Sequence, residues 1–142
     1  MLIYLKSAKT GGTSMVKYLK LNYKKVLYYC YDHQIPSTID PSTEVIILAN
    51  LPTIKKFKFL HSSLYQQSTK LVLFRNPYNR VISSYNYLGF NRSLDDVLMD
   101  PPTGSYYDPL YIHFTLSQTD SIDITPSDIN NDKFYIHNVR MY

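Results

Sequence analysis

The chain has 142 residues, enough for one domain with a real core and too few for two comfortable ones. Its 44% hydrophobic content excludes disorder over most of the length, and a net charge of +4 suits an anionic ligand while being mild for a dedicated nucleic-acid binder. A single cysteine, Cys30, excludes an internal disulfide, and no apolar run approaches the ~20 residues that span a bilayer.

Leu2–Leu5 is a short apolar run that reads as a first strand. Because it starts at residue 2 it leaves no signal peptide, so the sequence as written is expected to be cytoplasmic; a Golgi lumen location would require it to be a fragment. Gly11 and Gly12 break the run, and a helical pattern begins near Thr13 or Ser14. Strand, loop and helix in that order bring backbone N–H groups and the positive end of a helix to one point, with the Lys9 ammonium beside them. Such a point binds an anion. The two glycines admit a ligand without Cβ clashes, and the hydroxyls of Thr10, Thr13 and Ser14 can donate to phosphate-type oxygens. An ordinary glycine turn before a helix would look much the same.

Met15, Val16, Leu19 and Tyr23 fall at helical spacing, with Lys17, Lys20 and Lys24 mostly on the other side, which predicts an amphipathic helix packed on the first strand. Val26–Tyr31 reads as a second strand, Pro36 and Pro41 mark a loop, and Val45–Leu48 is a third strand. Between Leu51 and Gln67 the pattern forks. Ile54, Phe57, Leu60 and Leu64 fit a helix, but Lys56–Phe57–Lys58–Phe59 alternates as a strand would, and we expect a short strand at Phe57–Leu60. That strand would carry His61 to the carboxyl edge of a sheet, where open α/β folds bind ligands.

Leu71–Phe74 is the clearest buried strand, and Arg75 follows it. Asn76–Pro77 supplies an N-cap and a proline at the first helical position, so a helix follows, with Val81, Tyr85 and Leu88 as its buried stripe, Ser83 off that stripe and Gly89 at its end. Ser93 with Asp96 resembles a capping box before a short helix at Leu94–Met99. Pro101, Pro102 and Gly104 make a loop, Tyr106–Ser117 is aromatic, Thr119–Asn131 is polar, and Phe134–Met141 reads as a last strand. Strands alternating with helices predict an α/β fold with a parallel sheet. The four histidines, His33, His61, His113 and His137, are too scattered for zinc, and no metal is expected. The 15 tyrosines, against no tryptophan, can line a sugar or nucleotide cleft, although skewed composition accounts for most of them.

Two stretches together resemble the sulfotransferases that use 3′-phosphoadenosine 5′-phosphosulfate (PAPS), in particular their carbohydrate-modifying branch. LKSAKTGGTS at Leu5–Ser14 is similar to the family's 5′-phosphosulfate loop, and LVLFRNPYNRVISSY at Leu71–Tyr85 to its 3′-phosphate element, in which a Ser follows eight residues after an Arg. Here that pair is Arg75 and Ser83. FKFLHSSLY at Phe57–Tyr65 sits where members carry a Gly-His segment supplying a base, with Leu60 in place of the glycine, and HFTLSQTDSI at His113–Ile122 resembles a further family stretch. The resemblance implies a P-loop-like three-layer sandwich, a central parallel sheet flanked by helices, in one domain over residues 1–142 that lacks the family's C-terminal helices.

It also implies roles. Lys9, Thr10, Gly11, Gly12, Thr13 and Ser14 would hold the phosphosulfate, Lys9 would stand at the leaving oxygen, and Arg75 with Ser83 would grip the 3′-phosphate. His61 would take the acceptor proton, with His113 in reserve. The partner implied is a carbohydrate or other hydroxyl acceptor, without nucleic acid or stable membrane insertion, and the oligomeric state is left open. Two other readings stand beside this one. A nucleoside-phosphate kinase uses the same strand, loop and helix, but its loop places Lys after the second glycine, whereas Lys9 precedes both. A non-catalytic nucleotide or polyanion-binding module rests on Lys55, Lys56 and Lys58, and such runs are usually solvated faces.

Overall fold

The computed structural model describes residues 1–7, 9–88, 91–99 and 134–139. Five strands form one parallel sheet: β1 (Leu2–Leu5), β2 (Val26–Tyr29), β3 (Val45–Leu48), β4 (Thr69–Arg75) and β5 (Phe134–Val139). Their order is β2-β3-β1-β4-β5. Leu2 is in register with Val45 on one side and with Thr69 on the other, so β1 is enclosed by neighbours that come much later in the chain.

Helices cover both faces, because side chains along each strand alternate between two separate cores. Ile3 and Leu5 join Ile46, Leu48 and Val72 on one face, where Ile54 and Phe57 of α2 (Leu51–Leu60) and Tyr65 of α3 (Ser62–Gln67) close over them. Tyr4 joins Val45, Ile47 and Leu73 on the other, beneath Leu19 of α1 (Gly12–Asn22), with Met15 and Val16 packed against the cluster. Each fully buried aliphatic side chain in these clusters contributes about 1.5–3 kcal/mol of burial. The architecture is the expected α/β sandwich with a central parallel sheet.

Leu51–Leu60 and Ser62–Gln67 are two helices joined at His61, where the sequence predicts a strand at Phe57–Leu60. The cause is visible at the helix start. Asn50 Oδ1 accepts from the Thr53 backbone N–H at 2.9 Å and from the Thr53 hydroxyl at 2.7 Å, while Pro52 sits in the first turn. Asn50 Nδ2 also donates to the Cys30 carbonyl, tying this cap to the end of β2. Once the helix is set, Ile54 and Phe57 face the core, and Lys56, Lys58 and the 81%-exposed Phe59 lie outside it.

Two further helices, α4 (Pro77–Leu88) and α5 (Leu94–Met99), follow β4. Asn76 Oδ1 caps α4 by accepting from the Asn79 N–H at 3.3 Å. Ser93 and Asp96 make the expected capping pair at α5, with the Asp96 N–H donating to Ser93 Oγ at 3.1 Å. β4 is longer than its apolar run, because pairing with β1 and β5 extends it to Thr69 and Arg75. From β1 the chain runs first to the edge strand β2, returns to β3 beside β1, then crosses to the other side of β1 for β4 and β5. The carboxyl ends of β1 and β4 therefore flank the topological switch point, the crevice where open parallel sheets take ligands.

Candidate functional site

The β1–α1 loop begins as an extension of the sheet, with the Lys6 N–H donating to the Leu48 carbonyl at 2.9 Å. It then reverses through two left-handed residues, Lys9 at φ 58° and Gly11 at φ 89°, and enters α1 at Gly12. Glycine adopts that conformation without strain, whereas a lysine there costs about 1–3 kcal/mol and must be held by its surroundings. Internal hydrogen bonds do the holding. The Thr10 hydroxyl donates to the Ser7 carbonyl at 3.1 Å, and the Ser7 hydroxyl donates to Thr10 Oγ1 at 3.1 Å, with the Leu73 carbonyl at 3.4 Å as an alternative acceptor.

Thr13 and Ser14 stand exposed in the first turn of α1, which carries no acidic residue. The N–H groups of that turn and the helix dipole thus present positive potential with nothing to cancel it locally. The Lys6 side chain lies across Gly12, where a Cβ would come within 2.9 Å of Lys6 Cε and 3.0 Å of its Cγ.

The second half of the site comes from the neighbouring strand. Arg75, the last residue of β4, donates from Nη1 to the Lys9 carbonyl at 3.2 Å. Ser83 is half-buried on α4, and Tyr87 lies four residues on, hence on the same helical face. The Tyr87 ring lies under the Lys9 ammonium, with Nζ 3.9 Å from its centroid. The face of α4 that carries Ser83 and Tyr87 thus meets the loop at Lys9 through Tyr87. Burial lowers the Lys9 pKa from its ordinary value, and the Arg75 guanidinium lowers it further. Two cations held this close repel each other, and an anion between them would convert that repulsion into attraction.

A model of the sulfotransferase family matches residues 1–97, which takes in both the β1–α1 loop and the β4–α4 junction. The chain belongs to the sulfotransferase family. No curated protein and no solved structure matches it significantly. Sulfuryl transfer moves a sulfonate from one oxygen to another, so the work of a sulfotransferase is alignment of donor and hydroxyl acceptor and stabilisation of oxygen charge, for which fixed cations and backbone donors are the suitable tools.

The sulfotransferase fold draws the expected site residues together unevenly. Lys9, Gly11, Gly12, Thr13 and Ser14 share the loop and first helical turn, and Arg75 touches that loop directly. Thr10 departs from expectation. It is 0% exposed and its hydroxyl is spent on the Ser7 carbonyl, so that hydroxyl braces the loop from inside instead of facing an anion.

His61 is not drawn in. It caps the carboxyl end of α2, and ten helical residues carry the chain roughly 15 Å back from the edge where β3 ends. Its Nε2 pairs with the Pro36 carbonyl at 2.8 Å and its ring lies against Phe57 at 4.9 Å between centroids. The strand that was to carry it to the ligand edge is a helix, and the geometric case for His61 as the base goes with it. His113 lies outside the described residues. Tyr87 is the site residue that the sequence reading passed over. Its signal was the four-residue spacing from Ser83. Among the described residues no His, Cys, Asp and Glu group could hold a metal, and no helix is long and apolar enough to cross a membrane.

Proposed function

We propose that this sulfotransferase takes its sulfuryl group from 3′-phosphoadenosine 5′-phosphosulfate and delivers it to a hydroxyl of a carbohydrate. The observation that carries the reading is the 3.2 Å hydrogen bond from Arg75 to the Lys9 carbonyl, which joins two anion-binding elements across adjacent strands. A nucleotide with phosphates at both its 5′ and 3′ ends needs two such elements side by side. In this reading the loop N–H groups from Gly11 to Ser14, with the Thr13 and Ser14 hydroxyls, hold the 5′-phosphosulfate. Arg75 and Ser83 hold the 3′-phosphate. Lys9 stabilises charge on the oxygen that departs as its S–O bond breaks, while a new S–O bond forms to the acceptor and the acceptor proton leaves to a base. The carbohydrate acceptor rests on the resemblance of both motifs to the carbohydrate-modifying branch.

Calorimetry with 3′-phosphoadenosine 5′-phosphate against AMP tests the donor. The 3′-phosphate should tighten binding at least tenfold, and Arg75→Lys should lose most of that gain, since lysine lacks the planar fork that grips a phosphate from two sides. Equal affinity for the two nucleotides would remove the reading.

A further inference from the structure

Lys9 is held at two points by two different elements. Its carbonyl is bonded to Arg75 of β4, and its ammonium rests on Tyr87 of α4. We propose that Tyr87 is a positioning residue for Lys9, its ring face holding the ammonium in place over the β1–α1 loop before any anion arrives.

Burial does not explain where Tyr87 sits, because the residue is 73% exposed. Its contact with Lys9 does: 3.9 Å from Nζ to centroid is well inside the ~6 Å reach of a cation–π interaction. The backbone of Lys9 is already fixed by its left-handed φ and by Arg75, which leaves the four-carbon stem as the free part. A lysine stem has many rotamers, and a charge spread over them is poorly placed to meet a developing oxyanion. Arg75 can only repel the ammonium. The salt bridges among the described residues are Lys25–Asp40 and His33–Asp32, and neither involves Lys9.

The choice of an aromatic partner has a chemical consequence. A carboxylate at this position would fix the ammonium equally well, but it would neutralise the charge and compete with the incoming anion. The ring quadrupole restrains the cation without cancelling it. Ser83 lies one turn back on the same face of α4, so the helix that carries this 3′-phosphate candidate also sets the position of the cation next to the 5′ end.

The consequence for turnover rests on the proposed function above; the contact itself does not. The test therefore has two arms, on Tyr87→Leu and Tyr87→Phe in the full chain. In the first, Lys9 is acylated with an N-hydroxysuccinimide ester in unliganded protein at one fixed pH, with Lys17 and Lys20 as internal references. Loss of the ring should speed Lys9 acylation about two- to fivefold in the leucine variant, the equivalent of an exposed cation–π contact, while phenylalanine behaves as wild type. Unchanged acylation in Tyr87→Leu, or equal changes in both variants, would overturn the proposal. In the second arm kcat should fall roughly fivefold in Tyr87→Leu and recover in Tyr87→Phe, with affinity for 3′-phosphoadenosine 5′-phosphate unchanged. A parallel loss of affinity would make Tyr87 a nucleotide contact instead and defeat the proposal. The acylation arm decides by itself if the donor proves to be a different one.

Discussion

Lys9 carries two demands that conflict. Its charge is wanted at the loop, yet its φ of 58° is a conformation in which a side chain is strained. Separating the two is an experiment. Lys9→Ala and Lys9→Gly should both slow sulfuryl transfer by roughly 10²–10³-fold, the usual loss on removing one charge-stabilising donor. Their stabilities should differ, with glycine more stable than alanine by about 1 kcal/mol in urea unfolding, because only glycine occupies left-handed space freely. Equal stabilities would mean that the backbone there is relaxed, and full activity in either variant would make Lys9 an ordinary loop lysine. Thr10 teaches the complementary lesson. Its place in the motif suggested a ligand contact, but a buried hydroxyl takes the nearest carbonyl, here that of Ser7.

At the scale of elements, the reassignment of residues 51–67 has the largest functional effect. His61→Ala should leave sulfuryl transfer within about twofold and cost roughly 1 kcal/mol of stability through its bond to the Pro36 carbonyl. His113→Ala in parallel should lose ~10²–10⁴-fold if that residue is the base. A loss of that size in His61→Ala, with nucleotide binding intact, would return the role to His61. β1, β3 and α5 were legible to the residue, since each is a short periodic or apolar run between clear breakers. β4 was legible in kind but short by its flanks, because pairing, not apolar character, makes strand residues of Thr69, opposite Leu2 of β1, and Arg75, opposite Val139 of β5. The Lys-Phe alternation hides α2, because the Asn50 cap on Thr53 and the Pro52 in the first turn that set the helix act upstream of the pattern they govern. The β1–α1 loop and the β4–α4 junction, both within the family match, were readable because their spacing is local. The Lys9–Tyr87 contact was not, since it joins two elements far apart in sequence that only the sheet order brings together.

Across the whole molecule, tyrosine sets the alkaline limit of stability. Burial, and then Tyr28, pushes the Tyr4 hydroxyl far above its ordinary value near 10, and burial followed by a hydrogen bond with Cys30 pushes Tyr28 up to about 12. A folded-state pKa above the unfolded one favours the fold below the unfolded pKa, and the benefit drains away as pH climbs through the folded values. Unfolding free energy should therefore hold up to about pH 10 and fall between about 10 and 12, with late-ionising tyrosines appearing in near-ultraviolet absorbance only as the chain unfolds. Flat stability across that window would sink the argument. The enclosure of β1 has a consequence of a different kind, in time. Leu2 pairs with Val45 and Thr69, so a chain emerging from the ribosome makes its first strand early, can pair it on one side once β3 is made, and encloses it only after β4 has been synthesised. Arg75 is the last residue of that strand, so the loop gains its contact with this second cation in the same step that completes the centre of the sheet. A nascent chain that has not yet reached Arg75 lacks the hydrogen bond that ties the β1–α1 loop to β4, so the loop is braced from its neighbouring strand only once β4 is made.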